Sequence, residues 1–238
     1  MSNDYDLAVL GSGPGGYVGA IRASQLGLKT CVVEKEKVGG VCLNIGCIPS
    51  KSLIHQAEVF ESVSGLERMG VTVDTSTLDY SKVQAESRNA ADTLSKGVQY
   101  LLKKNKVEVV MGTGEITGEN EVTVTGEDGE KKISATHIMI ATGSSPKQIP
   151  GFDVNGKSII NSNDALMMTE LPESMIILGA GAIGCEFAHI MDRFGVKVTI
   201  VEMLDQILPN EDPELAQVLA RSFKKRKIKM HTSTKASN

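Results

Sequence analysis

A short apolar run, Tyr5 to Leu10, ends in the glycine-rich turn Gly11-Ser12-Gly13-Pro14-Gly15-Gly16 and is followed by a helical pattern from Tyr17 to Leu26. Gly27 suits the left-handed position just beyond that helix. A second strand, Lys29 to Val33, delivers Glu34. Further on, the spacing predicts a helix from Ser50 to Ser62, a turn-rich stretch from Gly65 to Asp79, and a long helix from Ser81 to Lys104. Leu94, Val98, Leu101 and Leu102 give the long helix an apolar stripe expected to pack on a core. Val107–Met111, Glu115–Thr117, Val122–Val124 and Lys132–Ser134 suit short strands, with turns at Asn120 and Gly129. A further strand, Thr136–Ile140, runs into Ala141-Thr142-Gly143-Ser144-Ser145-Pro146, and Pro146, Pro150 and Gly151 mark a crossover out of a first domain.

The opening pattern then returns. Ser174–Leu178 leads into Gly179-Ala180-Gly181-Ala182-Ile183-Gly184, a helix to Phe194, Gly195, a strand Val196–Val201 and Glu202. Gly11, Gly13, Gly16, Gly27, Lys29 and Glu34 recur as Gly179, Gly181, Gly184, Gly195, Lys197 and Glu202, every pair 168 positions apart. Strand, glycine turn, helix, strand and acid is the order of a dinucleotide-binding unit. The first glycine permits the tight turn, the second lets backbone approach a pyrophosphate, and the third lets helix and strand pack closely. The acids at 34 and 202 suit ribose hydroxyls, and an acid rather than a basic residue at 202 points to NAD rather than NADP. Two dinucleotides on one chain suggest a flavin and a nicotinamide. The expected fold is therefore α/β, with two Rossmann-like domains. Residues 1–147 would form an FAD-binding domain with a small antiparallel β meander, and residues 148–238 a truncated NAD-binding domain.

Composition narrows the class without changing this picture. At 238 residues the chain can bury one large or two ordinary cores. The net charge of −4 offers no general attraction to nucleic acid. Lys224-Lys225-Arg226-Lys227, the one basic cluster, suits a solvated helix end. No run approaches the roughly 18 apolar residues of a membrane span. Four cysteines do not suggest a secreted disulfide framework, and no leader pattern precedes Asp6, so a cytoplasmic location is expected.

Two of those cysteines, Cys42 and Cys47, stand five apart in Gly39-Gly40-Val41-Cys42-Leu43-Asn44-Ile45-Gly46-Cys47-Ile48-Pro49-Ser50-Lys51. They are close enough in sequence to close a small disulfide ring. Pro49 suits the first turn of the following helix, which places Cys47 near a helix N-terminus, where the dipole favours thiolate. A structural disulfide or two buried thiols remain open on spacing alone. Cys31 in a strand and Cys185 opening a helix suit packing roles. His55, His137, His189 and His231 suit structural or surface roles, and no clustered second ligand pair supports a metal.

With GGVCLNIGCIPSK, both glycine motifs, the Ala141-Thr142-Gly143 loop and the string VEMLDQILPNEDPEL from Val201, the chain resembles the flavin-dependent pyridine nucleotide-disulfide oxidoreductases. Within them it is similar to the dihydrolipoamide-oxidising branch. The resemblance implies that Gly11, Gly13, Pro14, Gly15, Gly16, Glu34 and Lys35 hold the ADP part of FAD. Gly40, Val41, Gly114, Ala141, Thr142 and Gly143 would complete the FAD contacts, while Gly179, Gly181, Ile183, Gly184 and Glu202 would hold NAD. It also implies that Cys42 is the interchange thiol and Cys47 the thiol facing the flavin, with Lys51 and Glu186 a pair beside flavin and nicotinamide. The implied partners are lipoyl domains of 2-oxo acid dehydrogenase complexes or of the glycine cleavage system, and a second subunit in a homodimer. The chain departs from the family by ending at about half its length. On this resemblance the 238 residues are expected to be without the return segment of the FAD site and the histidine base, and to be inactive alone. A glutathione or mercuric reductase type, a non-catalytic dinucleotide-binding redox sensor and a double-Rossmann scaffold are the alternatives.

Overall fold

The computed structural model describes residues 3–237, and the chain divides into two compact units. The first comprises the residues up to Pro49 and Arg88–Ser145; the second comprises Ser50–Ser87 and the residues from Pro146 onward.

In the first unit, β1 (Tyr5–Leu10), β2 (Thr30–Glu34) and β3 (Glu108–Met111) are parallel, and β4 (Thr113–Gly118), β5 (Glu121–Gly126) and β6 (Gly129–Ile140) form an antiparallel meander. The sheet order is β3-β2-β1-β6-β5-β4. The separate strands expected at 132–134 and 136–140 are one. Its first half pairs antiparallel with β5, and its second half pairs parallel with β1, Tyr5 opposite Ala135. Strand alternation sends side chains to two cores. Ala8, Leu10, Cys31 and Val33 pack on Val122, Val124 and Ile133 of the meander. Val9 and Val32 pack on the other face with Ala20 of α1 (Pro14–Gln25) and Val98 and Leu102 of α4 (Tyr80–Lys104). Burial on both faces explains why the centres of these strands, Leu7–Leu10 of β1 and Cys31–Val33 of β2, are apolar.

Helix α4 corrects one expectation. Val98 and Leu102 are buried, but Leu94 and Leu101 are 44% and 41% exposed. The inward face runs through Ser87, Ala91, Ser95, Val98 and Leu102, so small and polar residues share it with the apolar ones.

The segment after β2 holds a second departure. Residues 40–45, expected only as a glycine-punctuated link, form α2 (Gly40–Ile45), and α3 (Cys47–Glu67) begins three residues before the predicted helix start. Gly46 separates the two. A Cβ there would lie 2.9 Å from the Val41 carbonyl oxygen and 3.2 Å from Cys42 Cα, so glycine lets α3 start against the end of α2.

The second unit contains α5 (Ser162–Met167), α6 (Ala182–Arg193), α7 (Pro213–Lys225) and a parallel sheet of order β7-β8-β9 from Ser174–Leu178, Lys197–Val201 and Lys229–His231. Its first two strands repeat the register of β1 and β2, Leu7 facing Thr30 and Met175 facing Val198. Both glycine-turn helices end alike. Gly27 N–H donates to Ser24 and Leu28 N–H to Ala23, as Gly195 donates to Asp192 and Val196 to Met191, with Gly27 and Gly195 at φ 93° and 89°.

The repeat continues past Glu202, where sequence alone had lost it. α4 and α7 each end with a lysine in the left-handed region, Lys106 at φ 58° and Lys227 at φ 65°, before β3 and β9 respectively. Also within the second unit, Phe194 packs on Phe60 and, edge-on, on Tyr80.

Candidate functional site

The first glycine turn is built to leave backbone exposed. Gly11 sits at φ 98°, and a Cβ there would meet the Ala141 carbonyl oxygen at 2.3 Å, so the Ala141-Thr142-Gly143 loop lies directly against the turn. A Cβ at Gly16 would fall 1.9 Å from the Gly11 carbonyl oxygen. At Gly13 and Gly15 a Cβ would meet nothing within 4 Å, so their lack of a side chain serves open space rather than protein packing. Gly13 caps α1 without a side-chain hydrogen bond, leaving first-turn N–H groups directed outward at the positive helix end. This cradle fits a diphosphate.

Glu34 closes the turn from beneath. Its carboxylate accepts from Ser12 N–H at 3.0 Å, Ser12 Oγ at 2.5 Å and Glu36 N–H at 2.9 Å, and the residue is 7% exposed. Lys35 is exposed and pairs with Glu36. Gly114 stands in β4, where a Cβ would press on Leu10 at 3.0 Å and Val33 at 3.1 Å; glycine there brings the meander onto the core. Ala141 N–H donates to Leu10, and Thr142 and Gly143 are exposed.

The cysteine segment starts at this same turn. Gly39 N–H donates to the carbonyl and hydroxyl oxygens of Ser12, and a Cβ at Gly40 would come within 2.7 Å of Gly13 Cα. Helix α2 thus leaves the glycine loop carrying Val41, exposed, and Cys42, half-buried; Cys47, exposed, opens α3. Cys42 also packs at the margin of the α1–α4 core. Asn44, buried, donates from Nδ2 to the carbonyls of Val38 and Gly40. Neither Ser12 nor Asn44 was singled out from sequence. The signals were present as a hydroxyl between the first two glycines and an amide midway between the cysteines.

In the second unit the backbone of the turn is repeated, with a buried acid again beneath it. Ala180 N–H donates to Glu202 at 2.7 Å and Leu204 N–H at 2.8 Å, Glu202 being 8% exposed. Gly179 sits at φ 101°, and a Cβ at Gly184 would lie 2.2 Å from its carbonyl oxygen. Gly181 caps α6 with no side-chain bond and is open, and Ile183 is exposed on the first helical turn. Glu186 on the same helix forms an ion pair with Lys51 of α3. The counterpart of Ser12 is Ala180, so Glu202 lacks the hydroxyl bond that Glu34 has.

The other cysteines have no comparable setting. Cys31 is fully buried and its thiol is pushed up to about 12 by burial; Cys185, buried, is pushed up to about 11 and donates to the Ala180 carbonyl. His55, His137 and His231 are exposed, and His189 accepts from Arg226 within the second unit. Among the described residues, no helix is long and apolar enough to cross a membrane, and no group of three His, Cys, Asp or Glu side chains could hold a metal ion.

Each unit thus presents an outward helix N-terminus with a buried acid beneath, the geometry that suits a diphosphate, and the cysteine segment starts from the first of them. The chain is 48% identical over its whole length to the dihydrolipoyl dehydrogenase of Chlorobaculum tepidum and 45% identical over 99% of it to one from Bacillus subtilis, spanning 51% and 52% of those proteins. Among solved structures, LpdA from Mycobacterium tuberculosis matches 98% of the chain at TM-score 0.88 and 26% identity. The HOCl-induced flavoprotein disulfide reductase RclA from Escherichia coli matches 99% at 0.82 and 27%, and the chain covers 52% and 50% of these two. The chain spans about half the length of the curated relatives it matches. The family model for pyridine nucleotide-disulphide oxidoreductases matches residues 5–238, and the chain belongs to that family.

Proposed function

We propose that this chain is the N-terminal half of a dihydrolipoyl dehydrogenase, with residues 1–147 an FAD-binding domain and residues 148–238 the start of an NAD-binding domain. The observation that carries the proposal is the attachment of the cysteine segment to the first glycine turn through Ser12–Gly39 and Gly13–Gly40, which roots a dithiol beside a diphosphate cradle. FAD fits the first turn. Gly11, Gly13, Pro14, Gly15 and Gly16 would receive its diphosphate, Glu34 its ribose hydroxyls, and the backbone of Gly40 and of Ala141–Gly143 would lie along it. Bound there, a flavin supplies the two-electron acceptor between dithiol and nicotinamide.

Cys42 is the proposed thiol that exchanges with dihydrolipoamide, and Cys47, at the helix N-terminus, the thiol turned to the flavin. Exchange transfers the substrate's electron pair as Cys42 and Cys47 are reduced and the lipoyl sulfurs join. Lys51, oriented by Glu186, is proposed to place a positive charge near the reduced ring. NAD is favoured over NADP because a 2′-phosphate would meet the Glu202 carboxylate, and Met203 and Leu204 beyond it offer no cation. The substrate partner would be a lipoyl domain, and the full-length protein a cytoplasmic homodimer.

The test is the absorption spectrum of the purified chain reconstituted with FAD, followed on two-electron reduction. A long-wavelength band that disappears in Cys47→Ser is expected; a flavin that bleaches identically in both proteins defeats the assignment. Lipoamide-dependent NAD reduction by this chain alone should be negligible, because none of its four histidines lies in a setting suited to the general base.

A further inference from the structure

The cysteine segment is held from two sides. Gly39 and Gly40, at φ 101° and 60°, anchor its start on Ser12 and Gly13 of the glycine turn, and residues 35–46 form no strand pairing with the sheet. The second hold comes from helix α4. Three side chains on one face of that helix, at i, i+4 and i+7, reach the segment in turn. Arg88 donates from a guanidinium nitrogen to the Asn44 carbonyl at 2.7 Å, Asp92 pairs with the Lys37 ammonium, and Ser95, buried, donates to the Val38 carbonyl at 2.6 Å. Asn44 then relays the grip inward through its amide bonds to Val38 and Gly40. The carbonyl that Arg88 takes lies between the two cysteines in sequence, at the end of α2 and just ahead of Gly46.

We infer that Arg88 and Ser95 of α4 are positioning residues for the Cys42–Cys47 pair, setting how readily its disulfide closes. The inference rests on the redox role proposed above for the two cysteines. A dithiol held in register closes at a higher effective concentration than one on a loose loop, so losing either bond should make the disulfide easier to reduce. Asp92 and Lys37 are about half-exposed and contribute little to the hold.

The experiment equilibrates the 238-residue chain, without flavin, in glutathione buffers at fixed pH. The products are trapped by alkylation and mapped to Cys42 and Cys47 by mass spectrometry. In this exchange a Cys42–Cys47 bond forms, a glutathione disulfide breaks, and the two thiol protons leave with the two glutathione thiols. Arg88→Met should lower the equilibrium constant for closure about tenfold, a potential about 30 mV less negative. Arg88→Lys, which keeps one donor, should recover most of it. Ser95→Ala should shift the constant the same way by about threefold, and it decides the matter if Arg88→Met does not fold. Val124→Ala, in the meander core, should lower the melting temperature and leave the constant unchanged.

Arg88→Met and Ser95→Ala proteins that melt lower but close within twofold of the parent would overturn the inference, since the bonds would then be merely structural. A parent chain that forms no Cys42–Cys47 disulfide in any buffer would instead remove the redox reading on which it rests.

Discussion

At the residue scale, the glycines of each turn do two different jobs, and substitution separates them. Gly16 has no room for a methyl group, so Gly16→Ala should force α1 off β1 and destabilise the first unit by several kcal/mol, roughly the scale of an overpacked core. Gly13 has ordinary backbone angles, φ −67° and ψ −179°, and open space, so Gly13→Ala should change the melting temperature little while abolishing FAD retention. Thermal unfolding of both variants with and without FAD checks the pair; a Gly13→Ala protein that keeps flavin normally would argue against a diphosphate at that turn.

Lys51 calls for the opposite comparison. Its ion pair with Glu186 joins side chains 60% and 30% exposed, and such pairs contribute at most about 1 kcal/mol. Lys51→Met should therefore leave chemical denaturation almost unchanged, and any effect on the reduced-flavin spectrum would reflect charge at the site rather than folding. The turn glycines and the acids at 34 and 202 were legible in sequence at this scale, because a left-handed turn, a close backbone approach and a buried N–H beneath the turn demand those residue types. Ser12 and Asn44 were not, since a serine or an asparagine in a loop is ordinary until its partners are known.

At the element scale, helix ends carry the repeat. Gly27 and Gly195 end α1 and α6 without strain, but Lys227 ends α7 in the same left-handed conformation with a Cβ. Lys227→Gly should stabilise the second unit by about 0.5–1 kcal/mol, measured by urea denaturation, because relief of left-handed strain exceeds the entropy that glycine adds to the unfolded chain. Helices α1, α3, α4 and α6 were predicted within about five residues from periodicity, whereas α7 had no predicted bounds and β6 was expected as two strands. Short α2 was missed because six residues opened by two glycines carry no helical signal; its conformation comes from Ser12, Asn44 and α4. The outward position of Leu94 and Leu101 was missed for a related reason. Apolar residues on two adjacent helix flanks look like one stripe until the sheet chooses which flank to cover.

At the scale of the whole molecule, the chain is two units on one theme, and the second carries a titratable group at a packed junction. His189 on α6 accepts from Arg226 at Nδ1, while Arg226 also holds Asp192. Burial, then the charges of Arg226 and Arg193, hold the His189 pKa below its usual value against the opposing influence of Glu58 and Glu61. In the window from about 6.5 downward to that lowered value, the unfolded chain binds a proton that the folded chain does not. Stability contributed by neutral His189 is therefore complete above about pH 6.5 and is lost as pH falls through the window. Denaturation midpoints between pH 7 and 5 should fall less steeply in His189→Asn than in the parent; equal slopes would show that other groups dominate.

Sequence alone determined the two dinucleotide-type turns, their repeat and the cysteine pair, because these depend on local demands: left-handed glycines, helix N-termini left open, and an acid one strand away. Tertiary structure alone decided what joins them. That Glu34 is held through Ser12, that the cysteine segment hangs from Gly13, that α4 grips it from the other side, and that the repeat runs on through α7 and β9 all depend on residues tens of positions apart meeting. Such meetings are set by which faces of sheet and helix bury together, and no local spacing records that choice.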